Sequence, residues 1–522
     1  MKKIIYSIFL TLILFGCTEM LDLQDPTGPT GADFFKTERD VEKAVVAAYG
    51  GLTNGLSLWG EDMMALEQIT DNFYNGSTLT DGGHGTWHLF QITPQNSTLT
   101  DFYRYLYIAI NRANQVIVNA PLVDGITTTS LNNHLGQVHF LRAYEYFLLT
   151  LIFGDVPVIL EPTGDPAGYA KGVSSATDVY DQIIADLKLA EQLLPGSPSE
   201  SGRLVTLAAS AMLVKVYLFG ADELKNTSWY QLAQQKAEQV INSNAYALVN
   251  DPSKTPAENF IEIFSTVKEN GPEDIFSIQH FNDGGIRTNS NIGTGYAMAI
   301  SPRYNKNLNV FGYGWGYVYE SAIKRWDNND PRKDVSLWID GEKIFLNGVS
   351  KGTYKQGSQQ RPNARPKGGG LQKFWWAENF KSNNAISDLN MKVIRYADLL
   401  LMHAEADLMA DGNLGANGLV SLNKVRNRAG LNSYSLGTVD RKMILDERRW
   451  ELFGEAQRWF DLMRTRTAEQ AFALLLEDDT DGDDVDKNGF VGERYYKMPY
   501  PQQALDRNPL LVQKPVWART AE

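Results

Sequence analysis

Val393-Ile394-Arg395-Tyr396-Ala397-Asp398-Leu399-Leu400-Leu401-Met402-His403-Ala404-Glu405-Ala406 decides how this chain folds. It begins a helix over residues 394–410, which Asp411-Gly412-Asn413 closes, because glycine and asparagine tolerate the left-handed backbone that ends helices. Two further helical runs follow, 414–429 ended by Gly430, and 438–464. Amphipathic helices joined by short turns bury their stripes against each other and stack as hairpins. This tetratricopeptide-like arrangement rests on geometry, since no repeat consensus is legible.

Working outward, the same texture fills the first half. Thr37 with Asp40 makes a capping-box start, and Val41, Ala44, Val45, Ala48, Tyr49 and Leu52 form an apolar stripe at helical spacing. Phe102, Leu106, Ala109, Ile110, Ala113, Val116 and Ile117 repeat it, as do Val138, Leu141, Tyr144, Phe147, Leu148 and Leu151. Thr177 caps another helix, with Val179, Ile183, Ile184, Leu187 and Ala190 on one face and Pro195-Gly196 at its end. Residues 206–221 and 228–243 complete the set. Between them and the C-terminal helices, residues 250–389 are dense in Gly, Asn, Pro and aromatics and predict loops, short strands and short helices. The fold class is therefore mostly α, with an irregular, mixed insertion.

The N-terminus fixes the compartment. Met1-Lys2-Lys3 precedes an apolar run from Ile4 to Phe15, then Gly16-Cys17, the pattern of a signal peptide with a lipid-accepting cysteine. The run is too short for a bilayer, which needs about 20 residues. Cys17 is the sole cysteine of the 522 residues, so it is expected to carry acyl chains, palmitate among them, and disulfides are excluded. Segments 1–16 (signal), 17–31 (tether), 32–249 (helical), 250–389 (loop-rich) and 390–522 (helical) make up one integrated unit. Cleavage removes Lys2 and Lys3 and takes the formal charge from −13 to −15. Such a surface repels nucleic acid.

The C-terminal blocks are more specific than their periodicity. Arg395-Tyr396-Ala397-Asp398 with the following Leu-rich turn resembles a conserved segment of SusD/RagB proteins. Leu422-Asn423-Lys424-Val425-Arg426-Asn427-Arg428-Ala429-Gly430 resembles the next. Glu447-Arg448-Arg449-Trp450-Glu451-Leu452-Phe453-Gly454-Glu455 through Arg458-Trp459-Phe460-Asp461-Leu462 is similar to the third, and Met498-Pro499-Tyr500-Pro501 with Asn508-Pro509-Leu510 to the tail. Upstream, Phe140-Leu141-Arg142-Ala143 and Phe153-Gly154-Asp155-Val156-Pro157 match as well. The resemblance implies a SusD-like α/α superhelix. It also implies a lipoprotein anchored to the outer membrane at the cell surface of a Gram-negative, Bacteroidetes-like bacterium. Its role would be to capture a glycan and serve as lid to a SusC-like TonB-dependent transporter, without catalysis. Oligopeptide capture, the RagB side of the family, stays as the alternative, and a surface glycoside hydrolase as a third reading. The signature charges Glu447, Arg448, Arg449 and Arg458 beside Trp450, Phe453, Trp459 and Phe460 read as ion pairs between helices, not as ligand contacts.

Sugars offer apolar C–H faces and hydroxyls, so their sites combine exposed aromatic planes with amides and charges. Two loop regions carry that mixture. In the first, Asp71, Asn72 and Trp87 lie among glycines; they are placed as ligand contacts by loose analogy with the family's early-helix loop, against the alternative that Trp87 packs the loop onto the core. In the second, Asp283 and Arg287 precede Phe311-Gly312-Tyr313-Gly314-Trp315-Gly316-Tyr317-Val318-Tyr319. Period-two alternation would set Tyr313, Trp315 and Tyr317 on one face, and core strands seldom alternate aromatics with glycine, which favours binding. Arg361, Arg365 and Phe374-Trp375-Trp376 are weaker candidates, and Lys373-Phe374 falls where the family carries a structural strand.

Asp484, Asp486, Asn488 and Gly489 match the opening of a calcium loop, yet Tyr495 stands at position twelve where glutamate is expected. A structural calcium ion and a hydrated acidic loop both stay open; no other cofactor is expected. Gly348-Val349-Ser350-Lys351-Gly352 has the nucleophile-elbow spacing without its strand–helix setting. His84 and His88 have metal-ligand spacing on a helix, which Gly82, Gly83 and Gly85 oppose.

Overall fold

Thr37 starts the first long helix as expected, its hydroxyl accepting from the Asp40 amide while the Asp40 carboxylate accepts from Thr37. The computed structural model describes residues 34–53, 62–76, 83–162, 170–281, 294–300, 312–339, 341, 343–346, 349–353, 369–374, 387–478 and 489–518. In chain order the elements that frame the site are α1 (Glu38–Tyr49), α2 (Met63–Gln68), α3 (Ser97–Asn119), α4 (Thr128–Phe153), α5 (Ala176–Leu193), α6 (Thr206–Glu223), α7 (Ser228–Asn242), α8 (Tyr396–Asp411), α9 (Ala416–Arg428), α10 (Arg441–Glu451), α11 (Arg458–Arg464) and α12 (Gln502–Arg507). Consecutive members from α3 to α7 pack pairwise, and α8 closes the array between α7 and α9. The mostly helical architecture predicted from the stripes, and the superhelix implied by the resemblance, are what the structure shows.

Central helices differ from flanking ones in the way burial requires. From Gly136 to Phe153 every residue of α4 is buried, and α6 and α8 are likewise buried on all sides, so neither face needs polar residues. Helices α1, α3 and α5 keep one wet face. Among the described residues no helix is long and apolar enough to cross a membrane.

Strands are short: β1 (Phe73–Tyr74), β2 (Asp274–Ile278), β3 (Tyr317–Val318), β4 (Leu337–Ile339), β5 (Lys343–Leu346), β6 (Val349–Thr353), β7 (Gly369–Leu371) and β8 (Met391–Arg395). A four-stranded antiparallel sheet runs β1-β3-β7-β4, with β2-β8 and β5-β6 as separate pairs. The mixed insertion thus pairs β3 with the early strand β1 and β2 with the C-terminal strand β8.

Three boundaries depart from expectation. The C-terminal helical run starts at Tyr396, because residues 391–395 pair with β2 as strand β8. Ser175, not Thr177, caps α5, since Asp178 lies three residues beyond Ser175 and returns the hydrogen bond. The helix expected over 438–464 breaks into α10 and α11. Between them Gly454 and Ala456 take φ of 76° and 54°, and Lys373 Nζ donates to the carbonyls of Glu451 and Phe453, both at 3.1 Å.

A buried web of charge joins the insertion to the C-terminal helices. Arg395 Nη1 meets Glu273 at 2.7 Å and Glu451 at 2.6 Å, and its Nε meets Glu455 at 2.8 Å. Arg332 binds Glu451 and Glu447, each at 2.8 Å, and Arg428 also holds Glu451 and Glu273. Arg448 binds Asp398 at 2.7 Å and Asp461 at 3.1 Å. The signature charges are therefore internal ties, as their aromatic neighbours suggested.

Candidate functional site

The segment 312–319 is pinned from both sides. Backbone N–H groups of Tyr313 and Trp315 donate to the carbonyls of Met298 (2.9 Å) and Ala299 (3.0 Å) in the helix Tyr296–Ile300. Gly76 N–H donates to Gly314 O at 3.1 Å, and Gln68 Nε2 of α2 donates to Trp315 O at 2.7 Å. The glycines allow this close approach: Gly314 has φ of 69°, and a Cβ on Gly316 would lie 2.8 Å from Met64 Sδ.

Held this way, Tyr313 and Trp315 stay half-exposed with ring centroids 4.8 Å apart and planes at 36°. Trp315 also stacks on His84, centroids 4.6 Å apart and planes at 25°. His84 is buried, and its Nε2 lies 3.0 Å from Asp62 Oδ1, which also accepts from Thr98 Oγ1 at 3.3 Å. The result is a three-ring cluster whose inner ring is anchored and whose outer two reach solvent. Pre-set aromatic surface of this kind can take an apolar sugar face without ordering flexible side chains first.

Tyr317 does not join that face. It lies in β3 opposite Tyr74, with 2% of its surface exposed and its ring stacked on Tyr74 at 5.7 Å. Gly76 makes the space: a Cβ there would stand 2.1 Å from the Tyr317 ring. Only residues 317–318 of the segment are strand, so the alternation that would align three rings fails after Trp315. Tyr317 is corrected to a core residue.

The first loop is corrected in the same direction. Asp71 is buried and clamped by Arg458 Nε and Nη2 at 2.8 and 2.9 Å and by Arg449 at 3.0 Å. Burial alone would raise its carboxyl pKa; the Arg449 and Arg458 guanidiniums outweigh that and hold it below the ordinary carboxylate range. Asn72 has no exposed surface and accepts from Arg449 Nε at 2.8 Å. Trp87 is also fully buried, its Nε1 donating to Asn96 Oδ1 at 3.3 Å and its ring set edge-on to Phe102. Asn96 caps α3 and donates to Gly83 O at 2.9 Å, so this tryptophan packs the loop onto the core.

Asp283, Arg287, the calcium candidates Asp484, Asp486 and Asn488, and Cys17 lie outside the described residues, as do Arg361, Arg365, Trp375 and Trp376. Among the described residues no cluster of three or more His, Cys, Asp or Glu side chains could hold a metal. His84 was legible only as a doubtful metal ligand; its role beneath Trp315 needed the fold. Lys373 is buried in the charge web, with its Nζ 2.5 Å from Glu455.

Comparison with known proteins agrees over nearly the whole length. A SusD family model matches residues 272–517, and a model described as starch-binding associating with outer membrane matches residues 29–218. SusD-like protein P2 of Formosa agariphila is 28% identical over 532 aligned residues, covering 98% of this chain and 99% of the relative. Among solved structures, a SusD homolog from Bacteroides thetaiotaomicron superposes with TM-score 0.79 at 18% identity, covering 93% of this chain and 98% of its own. A laminarin-binding SusD-like protein superposes with TM-score 0.74 at 25% identity, covering 92% and 100%.

Proposed function

The chain belongs to the SusD family, and on that premise we propose that it is a cell-surface glycan-binding lipoprotein. It captures oligo- or polysaccharide at the Tyr313–Trp315 cluster and passes it to a SusC-like TonB-dependent outer-membrane transporter. Lipidation at Cys17 anchors it, and it acts by binding rather than by turnover. The observation that carries this reading is the half-exposed Tyr313–Trp315 pair, immobilised by four backbone or side-chain hydrogen bonds and backed by His84. Aromatic surface fixed at a solvent boundary has little use in a core and suits the C–H face of a sugar ring.

The name of one structural relative puts laminarin at the head of a ligand panel. Calorimetric titration of the mature chain carrying Cys17→Ser against neutral and charged oligosaccharides and against peptides tests the proposal, with product analysis afterwards. Saturable sugar binding without cleavage supports it. Peptide binding alone would move the protein to the oligopeptide side of the family, and cleavage would make it an enzyme.

A further inference from the structure

A second concavity, sharing no lining residue with the aromatic cluster, lies between α3 and the C-terminal helix α12. Its volume is about 630 Å³, within the roughly 300–1,000 Å³ of small-ligand sites. Tyr103 and Tyr107 of α3 line it, ring centroids 4.8 Å apart and planes at 45°. Its walls are rigid: Tyr107 OH donates to Pro157 O at 2.7 Å, Gln502 N–H to Pro94 O at 2.8 Å, and Asn508 Nδ2 to Lys171 O at 2.8 Å.

The charge here runs against the rest of the molecule. On a chain of formal charge −13, this cavity is lined by Arg104, Arg112 and Arg507 and, among the described residues, by no carboxylate. Arg104 is paired with Asp101 at 2.8 Å. Among the described residues Arg112 donates only to the Ala47 carbonyl, and Arg507 has no carboxylate within ion-pair distance. Behind them Glu145 is buried, neither of its oxygens hydrogen-bonded. Burial raises its carboxyl pKa well above the ordinary range, against the opposing pull of Arg112 and Arg142. The contrast is the smaller cavity of about 370 Å³ beside Trp450. There Arg325, Arg441, Lys442, Arg449 and Arg458 each already hold a carboxylate.

We propose that the groove between α3 and α12 is a second binding site that takes an acidic oligosaccharide. Sugar rings lie against the Tyr103–Tyr107 pair, and a carboxylate or sulfate on those rings meets Arg112 and Arg507. Guanidinium suits a carboxylate or a sulfate because its forked donors can meet two oxygens of either, and the amide of Gln503 lines the same cavity for hydroxyls. The anion specificity stands on this geometry; the assignment to a saccharide rests on the glycan-capture reading above.

The test is titration of trigalacturonate, laminaritriose and inorganic sulfate into the mature chain carrying Cys17→Ser, and into three variants of it. The variants are Trp315→Ala, Arg507→Gln, and Arg112→Gln with Arg507→Gln. Arg507 is exposed and has no ion-pair partner among the described residues, so its single substitution leaves the fold intact. Trigalacturonate is expected to bind the parent and Trp315→Ala alike, severalfold more weakly with Arg507→Gln and at least tenfold more weakly with both arginines changed, and less tightly as salt rises. Absence of saturable trigalacturonate binding, indifference to both arginine variants, or loss in Trp315→Ala would overturn the proposal. Inorganic sulfate binding as tightly as trigalacturonate would overturn the part played by the rings. Binding of trigalacturonate in the groove with no sugar bound at Trp315 would leave this site standing and remove the first. Binding at Trp315 with an empty groove would do the reverse.

Discussion

Trp315 rests on His84, ring centroids 4.6 Å apart and planes at 25°, while His84 Nε2 sits 3.0 Å from Asp62. A surface ring is thus oriented by a buried one that is itself oriented by a carboxylate. Such ring pairs contribute about 0.5–1.5 kcal/mol beyond their buried area. His84→Ala should therefore weaken binding of a confirmed sugar ligand about two- to tenfold with Trp315 still present. Isothermal titration of the variant measures this; unchanged affinity would remove His84 from the site.

Asp71 neutralises two buried arginines, Arg449 and Arg458. Removing one partner of a buried pair costs about 3–5 kcal/mol, so Asp71→Asn should lower the denaturant midpoint by a corresponding amount. Sugar affinity of the folded variant should not change, because Asp71 faces inward. A stable variant that no longer binds sugar would restore Asp71 to the ligand site.

Glu67 is buried at the end of α2, where its Oε1 accepts from the Ala456 N–H at 2.6 Å. Burial pushes its carboxyl up from 4.5 to about 7. Below pH 4.5 the group is neutral in both states and its contribution to stability is fully present. As pH rises towards 7 the unfolded chain loses the proton first, so that stability is lost, by about 3 kcal/mol in all. Glu67→Gln removes this titration. Stability of the variant relative to the parent should therefore rise between pH 5 and pH 8, read from chemical denaturation at both; a constant difference would refute the assignment.

Much of the scaffold was legible. Stripes such as Val41-Val45-Ala48 and Phe102-Leu106-Ala109 are local, and each became the buried face of its helix. The internal role of Arg448 and Glu447 was legible too, since charges spaced along a helix beside Trp450 and Phe453 need partners. What failed depended on distant residues. Asp71 looked like a loop acid because Arg458, its clamp, lies 387 positions away. Trp87, set among glycines, left exposure and packing both open until Asn96 tied its loop to α3. Tyr317 fitted an alternating face until Gly76, just beyond the paired strand β1, opened a slot for it. At the break between α10 and α11, Gly454 is a local signal, whereas Lys373, which holds the carbonyls of Glu451 and Phe453, is not announced by any pattern around 452–457.

The central claim is that the Tyr313–Trp315 cluster binds sugar. Calorimetric titration of the parent and of Trp315→Ala with laminarin oligosaccharides, or with whichever neutral sugar the panel identifies, tests it most directly. The account predicts saturable binding to the parent and at least about tenfold weaker binding to the variant, about 1.4 kcal/mol, with thermal stability nearly unchanged. Equal affinity of the two proteins for the same sugar would contradict it.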